Sequence, residues 1–185
     1  PPFEISVFPD PAGSFTTAAA MVACTEKTLK HKFNTNLKDK NIIIYGGKGI
    51  VGGISAIMCA KEGSKCTIVG YDGITNVKKK AEEYKSRFGV DIIPADGTTD
   101  ELNSSYLPQA DIIFCAARAG TQVISEEQLK LAKNTKVLAD VNAVPPAGLG
   151  GVNLKDDDAE HPCGGLSIGP LTSGDIKVKT QYRMF

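Results

Sequence analysis

The sequence carries no surplus of charge: Lys+Arg and Asp+Glu number 21 each in 185 residues. Gripping nucleic acid through the net field needs a basic surplus, so no nucleic-acid partner is expected. No apolar run approaches the roughly 20 residues that a membrane helix needs, so no membrane partner is expected either. The start, PPFEISVFPD, lacks the basic-then-apolar order of a secretory leader, and none is expected there. Ligand-spaced His and Cys are lacking, which argues against a metal site. His31 and His161 stand alone and read as surface or helix-end residues. The five cysteines (Cys24, Cys59, Cys66, Cys115 and Cys163) form no CxxC pair. Cys59, Cys66 and Cys115 lie in apolar patterns and read as small core residues, which suits a reducing, cytoplasmic setting. Internal repeats and low-complexity tracts are missing too. The chain opens on Pro-Pro without Met and stops at QYRMF, so it reads as a portion of something longer.

What is present is an alternation. SFTTAAAMVACTEKTLKHKF (residues 14–33) is Ala-rich and predicts a helix, with Ser14 as N-cap. NIIIYG is a short β-branched run bounded by Gly, as a buried parallel strand requires. GIVGGISAIMCAKEG then carries helical spacing up to Gly63, and KCTIVGYD reads as a second strand. NVKKKAEEYKSRFG is an amphipathic helix ending at Gly89, and VDIIPAD a third strand. After the short TTDELNSSYLPQ come a fourth strand (ADIIFCAA), a helix capped by Ser125 (SEEQLKLAKN) and a fifth strand (TKVLADVNA). The acidic run at residues 156–158 reads as a solvated loop. Strands alternating with helices predict an α/β fold, a doubly wound parallel sheet of the Rossmann type with helices on both faces.

The turn between the first strand and its helix contains GxGxxG as Gly47, Lys48, Gly49, Ile50, Val51 and Gly52. Its position opening a βαβ unit is the context that gives this pattern meaning. Gly47 is expected to permit the tight turn, Gly49 to let a pyrophosphate approach the backbone, and Gly52 to let helix and strand pack closely. The helix N-terminus then offers free N–H groups to the phosphates. A P-loop is excluded, because no Gly-Lys-Ser/Thr follows. Lys48 reads as a solvated lysine, with contact to a phosphate as the alternative. At the end of the second strand, after Tyr71, stands Asp72, where an acid binds ribose hydroxyls. An acid there repels a 2′-phosphate, and Lys78, Lys79 and Lys80 fall on the following helix, so NAD is favoured and NADP remains possible. The alternative for Asp72 is a turn residue before Gly73.

Two further stretches are not generic pieces of such a fold: DPAGSFTTAAAMV (residues 10–22) and ADVNAVPPAGLGGV (residues 139–152). With the glycine turn, they resemble the methylene-tetrahydromethanopterin dehydrogenases of bacterial one-carbon metabolism. The first is similar to the family pattern D-x-x-G-S-x-T-T-A-A-A through Asp10, Gly13, Ser14, Thr16, Thr17, Ala18, Ala19 and Ala20. The second is similar to A-D-x-N-A-x-P-P-x-G-x-G-G through Ala139, Asp140, Asn142, Ala143, Pro145, Pro146, Gly148, Gly150 and Gly151. The resemblance covers nearly the whole chain.

It implies transfer of a hydride from the methylene bridge of a tetrahydropterin to NAD(P), leaving the methenyl cation. It also implies a homo-oligomer and a two-domain subunit with the pterin in the cleft, most of the pterin-side domain preceding the first motif and missing here. Residues 1–36 would then be the linking segment, 37–165 the dinucleotide domain and 166–185 a C-terminal return. Family members specific for NADP carry an Arg after the Gly that ends the second strand. Here that Gly is Gly70, followed by Tyr71 and Asp72.

In this scheme Ser14, Thr16 and Thr17 open the linking helix at the cleft beside Asp10, unless they serve only as caps. Ala116, Ala117 and Arg118 follow the fourth strand, where loops line the nicotinamide ribose. Arg118 would pair with a phosphate or a pterin acid, or stand exposed. Asn142 would hydrogen-bond the carboxamide, or make an Asx-type turn before Pro145. The tail IKVKTQYRMF resembles a family segment with an active-site lysine, matched best by Lys177 and next by Lys179; its alternative is a solvated alternating strand. A tetrahydrofolate-linked or shikimate-dehydrogenase-like oxidoreductase, and a nucleotide-binding module without catalysis, are the competing functions.

Overall fold

The β-branched runs become the centre of one sheet. In a computed structural model, which describes residues 8–184, β1 (Asn41–Tyr45), β2 (Lys65–Gly70), β3 (Ile93–Asp96), β4 (Ile112–Cys115) and β5 (Val137–Asp140) lie where the apolar pattern puts them. Every residue of β4 and β5 is buried, as parallel strands covered on both faces must be. Two strands were not legible: β6 (Asp157–Glu160) and β7 (Leu166–Ile168). The sheet order is β3-β2-β1-β4-β5-β7-β6, parallel except for β6 against β7. The expected solvated loop at residues 156–158 is therefore partly a strand. Its acids are occupied: Asp156 accepts Ser167 Oγ at 2.6 Å, Asp158 accepts Thr28 Oγ1, and Asp157 lies 3.5 Å from Lys27. The expected boundary at 165/166 falls inside this hairpin, whose second strand pairs with β5.

α1 (Ser14–Phe33), α2 (Ile50–Lys61) and α3 (Ile74–Phe88) cover one face of the sheet, and the short α4 (Asp100–Ser105) and α5 (Glu126–Leu129) belong to the other. Two cores result. One joins Met21 and Leu29 of α1 to Ile42, Ile44, Ile68 and Phe114; the other joins Ile43, Tyr45 and Ile113 to Leu107 and Leu129. Alternate residues of β1 thus feed opposite cores, and each such side chain contributes about 1.5–3 kcal/mol on burial. No helix among the described residues is long and apolar enough to cross a membrane.

Three helices differ from expectation. The helix expected over SEEQLKLAKN keeps its Ser125 cap but is only the four-residue α5. α1 is capped by Gly13 in the left-handed region (φ 69°), and Ser14 is its first residue, donating to Pro11 O at 2.8 Å. The tail is a helix, α6 (Pro170–Arg183), and not an alternating strand. Pro170 suits the first turn, Asp175 and Lys179 pair one turn apart at 2.6 Å, and Ser173 and Ile176 pack inward.

Candidate functional site

The chain winds from β1 to β3 in one direction and resumes at β4 on the other side of β1. At that reversal the carboxyl ends of β1 and β4 define a crevice, the usual ligand position in an open α/β sheet. Ala116 N donates to Tyr45 O at 2.9 Å, and the glycine turn rises beside it.

Each glycine of the turn has its own constraint. The left-handed residue is Gly46 (φ 79°), so the tight turn falls there and not at Gly47. A Cβ on Gly46 would lie 2.4 Å from Ala116 O, on Gly47 2.4 Å from Ile68 Cγ2, and on Gly52 2.6 Å from Gly46 O. These three glycines let the turn, β2 and α2 close up. Gly49 is different. It caps α2 in extended conformation, and a Cβ there would meet only Gly46 O, at 3.2 Å. The open side of Gly49, with the first N–H groups of α2 behind it, fits a pyrophosphate. Ile50 is exposed and Val51 half-buried beside it. Tyr84 of α3, not singled out from the sequence, donates to Gly47 O at 3.1 Å and braces the turn from below.

At the end of β2, Tyr71 is 83% exposed and Asp72 faces the glycine turn. Lys48 is not solvated alone: its Nζ donates to Asp72 Oδ2 and stands 5.8 Å from the Tyr71 ring centroid. Asn76 Nδ2 also donates to Asp72 Oδ2, at 3.1 Å. The hydrogen bond from Lys48 is the largest influence holding the Asp72 carboxyl below the usual carboxylate range.

Beyond β4, Ala116 and Ala117 are half-buried in the loop and Arg118 is exposed. Asn142, after β5, is 5% exposed. Its Oδ1 accepts Val144 N at 3.0 Å and Gly120 N at 3.2 Å, and its Nδ2 donates to Pro146 O at 3.0 Å. The Asx-type turn is therefore present, and Asn142 ties the β4 loop to the β5 loop. Asp140 Oδ1 accepts Asn142 N and its Oδ2 accepts Leu149 N, at 2.8 and 2.9 Å. Burial pushes the Asp140 carboxyl up, against those bonds. Gly148 permits this fold-back, since a Cβ there would lie 2.3 Å from Cys115 Sγ.

The residues of the first motif and the tail lysine meet at a separate seam. α1 leads through a short loop into β1, so its N-terminal turn stands on the side of the strands' carboxyl ends. Asp10 Oδ1 accepts Phe15 N at 2.7 Å, and its Oδ2 accepts Thr16 Oγ1 at 2.6 Å and Gln181 Nε2 at 3.1 Å. Partial desolvation opposes ionisation, but these bonds outweigh it and hold Asp10 below its ordinary value. Thr17 donates to Gly13 O at 2.7 Å. Lys177 of α6 lies directly on Gly13: a Cβ there would be 2.3 Å from Lys177 Cε and 2.5 Å from its Nζ. Asp10, Ser14, Thr16, Thr17 and Lys177 are thus brought together, with Gln181 added. Lys179 is exposed and paired with Asp175, away from them.

The reading of His161 is corrected. His31 is exposed, but His161 is 4% exposed, with Nε2 2.8 Å from Gly150 O and Nδ1 3.1 Å from Cys163 Sγ. The carbonyl requires a proton on Nε2. Its signal in sequence was the His-Pro-Cys-Gly turn, too short to read alone.

No family model matches the chain. It is 46% identical over 186 residues to the NAD(P)-dependent methylenetetrahydromethanopterin dehydrogenase of Methylorubrum extorquens, a match covering 100% of the chain and 63% of that protein. It is 30% identical over 178 residues to the Bifunctional protein MdtA of the same organism, covering 96% and 60%. The chain thus spans less than two thirds of these curated relatives. Quinate dehydrogenase from Corynebacterium glutamicum in complex with NAD superposes with a TM-score of 0.63 at 15% identity, covering 91% of this chain and 55% of that one. Shikimate 5-dehydrogenase from Listeria monocytogenes gives 0.58 at 18%, covering 89% and 56%. At such identities the likeness is one of fold, and it defines a Rossmann-type domain of the kind dehydrogenases carry. By sequence the chain is more narrowly similar to the NAD(P)-dependent methylenetetrahydromethanopterin dehydrogenase, over 63% of that protein's length.

Proposed function

We propose that this chain is the dinucleotide-binding portion of an NAD(P)-dependent methylene-tetrahydromethanopterin dehydrogenase. The observation that carries the reading is the 46% identity running the full length of the chain. Bound NAD or NADP would supply the hydride acceptor, and loss of a hydride from a methylene carbon flanked by two nitrogens leaves a methenyl cation that both nitrogens stabilise, so no strong base is required.

The protein's part is alignment and exclusion of water. Gly47, Gly49 and Gly52 bring backbone and helix N-terminus to the pyrophosphate, and Tyr71 and Asp72 bound the adenosine ribose. The loop of Ala116, Ala117 and Arg118, fastened by Asn142, bounds the nicotinamide side. Lys177 orients the pterin by charge, from a platform built by Asp10, Ser14, Thr16 and Thr17. Residues 1–36 would link to a pterin-side domain, the sheet-bearing domain would run from residue 37 through β7, and α6 would return to the linker. A cytoplasmic homo-oligomer belongs to the same reading.

The test uses the full-length protein with methylene-tetrahydromethanopterin and either NAD or NADP. Nicotinamide reduction with this pterin is the expected result. Reduction with methylene-tetrahydrofolate alone would favour the folate-linked reading, and no reduction with either would sink the dehydrogenase.

A further inference from the structure

The corner formed by the glycine turn and the end of β2 holds opposite charges in one place. Lys48 occupies the variable position between Gly47 and Gly49, and Asp72 stands two residues beyond β2. Their side chains are 24% and 34% exposed and bonded to each other. The Lys48 stem crosses the strand end, since a Cβ on Gly70 would lie 3.5 Å from Lys48 Cδ and 3.6 Å from Asp72 Oδ1. Other cations are accounted for elsewhere. Lys80 pairs with Glu83 at 2.7 Å and lies over Tyr84, while Lys78 and Lys79 are exposed on α3. The remaining acid nearby, Asp96 of β3, sits opposite Gly70 and accepts Thr98 N at 3.0 Å.

An acid alone at this corner would repel a 2′-phosphate, and that expectation favoured NAD. The structure changes the balance, because the acid comes with its own cation. A partly exposed ion pair is weak, so its members can exchange partners at little cost. We propose that Lys48 is the residue that admits the 2′-phosphate, and that the Lys48–Asp72 pair opens differently for the two dinucleotides. With NAD, Asp72 accepts from the ribose hydroxyls while Lys48 keeps the site neutral. With NADP, Lys48 turns its ammonium to the phosphate and Asp72 is retained by Asn76. One corner then serves both cofactors. The inference rests on the dinucleotide reading above.

Calorimetric titration with adenosine 2′,5′-bisphosphate and with 5′-AMP isolates this corner from catalysis. Lys48→Ala should weaken the bisphosphate about tenfold or more relative to 5′-AMP, as expected for loss of a charge-assisted contact to phosphate. Lys48→Arg should restore the ratio, and Asp72→Asn should shift it toward the bisphosphate. In the wild type, added salt should weaken the bisphosphate more steeply than 5′-AMP. An unchanged ratio in Lys48→Ala overturns the assignment. So does wild-type protein that binds 5′-AMP but not the bisphosphate, and in that case the dinucleotide reading stands. Wild-type protein that binds neither overturns both.

Discussion

Four cysteines of this chain are buried and one is not, and their chemistry divides the same way. Burial pushes the Cys24 thiol up to about 11 and Cys66 to about 12, and raises Cys59 and Cys115 as well. Burial also works against the Cys163 thiolate, but His161 and the Gly165 backbone outweigh it, and Cys163 sits below the ordinary thiol range. A lowered pKa means more thiolate at neutral pH. Iodoacetamide at pH 7 should therefore label Cys163 before the other four, with a rate that levels off at lower pH than for a free thiol. His161→Asn should slow it. Equal labelling of all five, read by peptide mass, would contradict this. Residues of this kind were hard to read from sequence. Asp72 and the glycine pattern were visible because their spacing is local. The pairing of Lys48 with Asp72, and of His161 with Gly150, depends on chain brought back from elsewhere in the fold.

At the scale of elements, the seam between α1 and α6 is the least expected feature. The tail read as polar and alternating, and its helical register became visible only once Gln181 and Lys177 lay on Asp10 and Gly13. β6 and β7 escaped for a related reason: three- and four-residue strands rich in Asp and Ser have too little apolar pattern to register. The five longer strands were legible because their β-branched runs are buried on both faces. Two consequences of the seam can be measured. Asp10 is held below its ordinary value, so its contribution to stability is present above about pH 4 and is lost as pH falls through the lowered folded value. Asp10→Asn should remove that share of the acid sensitivity, seen as a flatter dependence of Tm on pH below about 4. An unchanged slope would show the bonds to Thr16 and Gln181 are not linked to folding. In the full-length protein, Lys177→Ala should lower kcat several-fold, on the order of 1 kcal/mol in barrier, while leaving NAD affinity nearly unaltered. Equal losses in both would make Lys177 a structural residue.

As a whole molecule, the chain is a neutral, doubly wound domain whose sheet class follows from the alternation of its elements, whereas the expected activity rests on the resemblance of its two flanking motifs. The alternation of elements defines a fold shared by many enzymes, and fold alone leaves function open. What narrows it is the identity with a named dehydrogenase, together with an open glycine placed on a helix N-terminus. That glycine permits a clean measurement. Gly49 is extended, and a Cβ there would meet only Gly46 O, at 3.2 Å, so Gly49→Val should fold. Its isopropyl group would instead fill the space a pyrophosphate needs. Gly52→Val serves as contrast, since its Cβ would strike backbone at 2.6 Å and disturb the fold itself. Titration with NAD and NADP, alongside thermal unfolding, tests the claim directly. The wild type should bind one dinucleotide per chain, and Gly49→Val should lose that binding while its Tm stays within a few degrees. Saturable binding that survives in Gly49→Val, or no binding by the wild type, would contradict it.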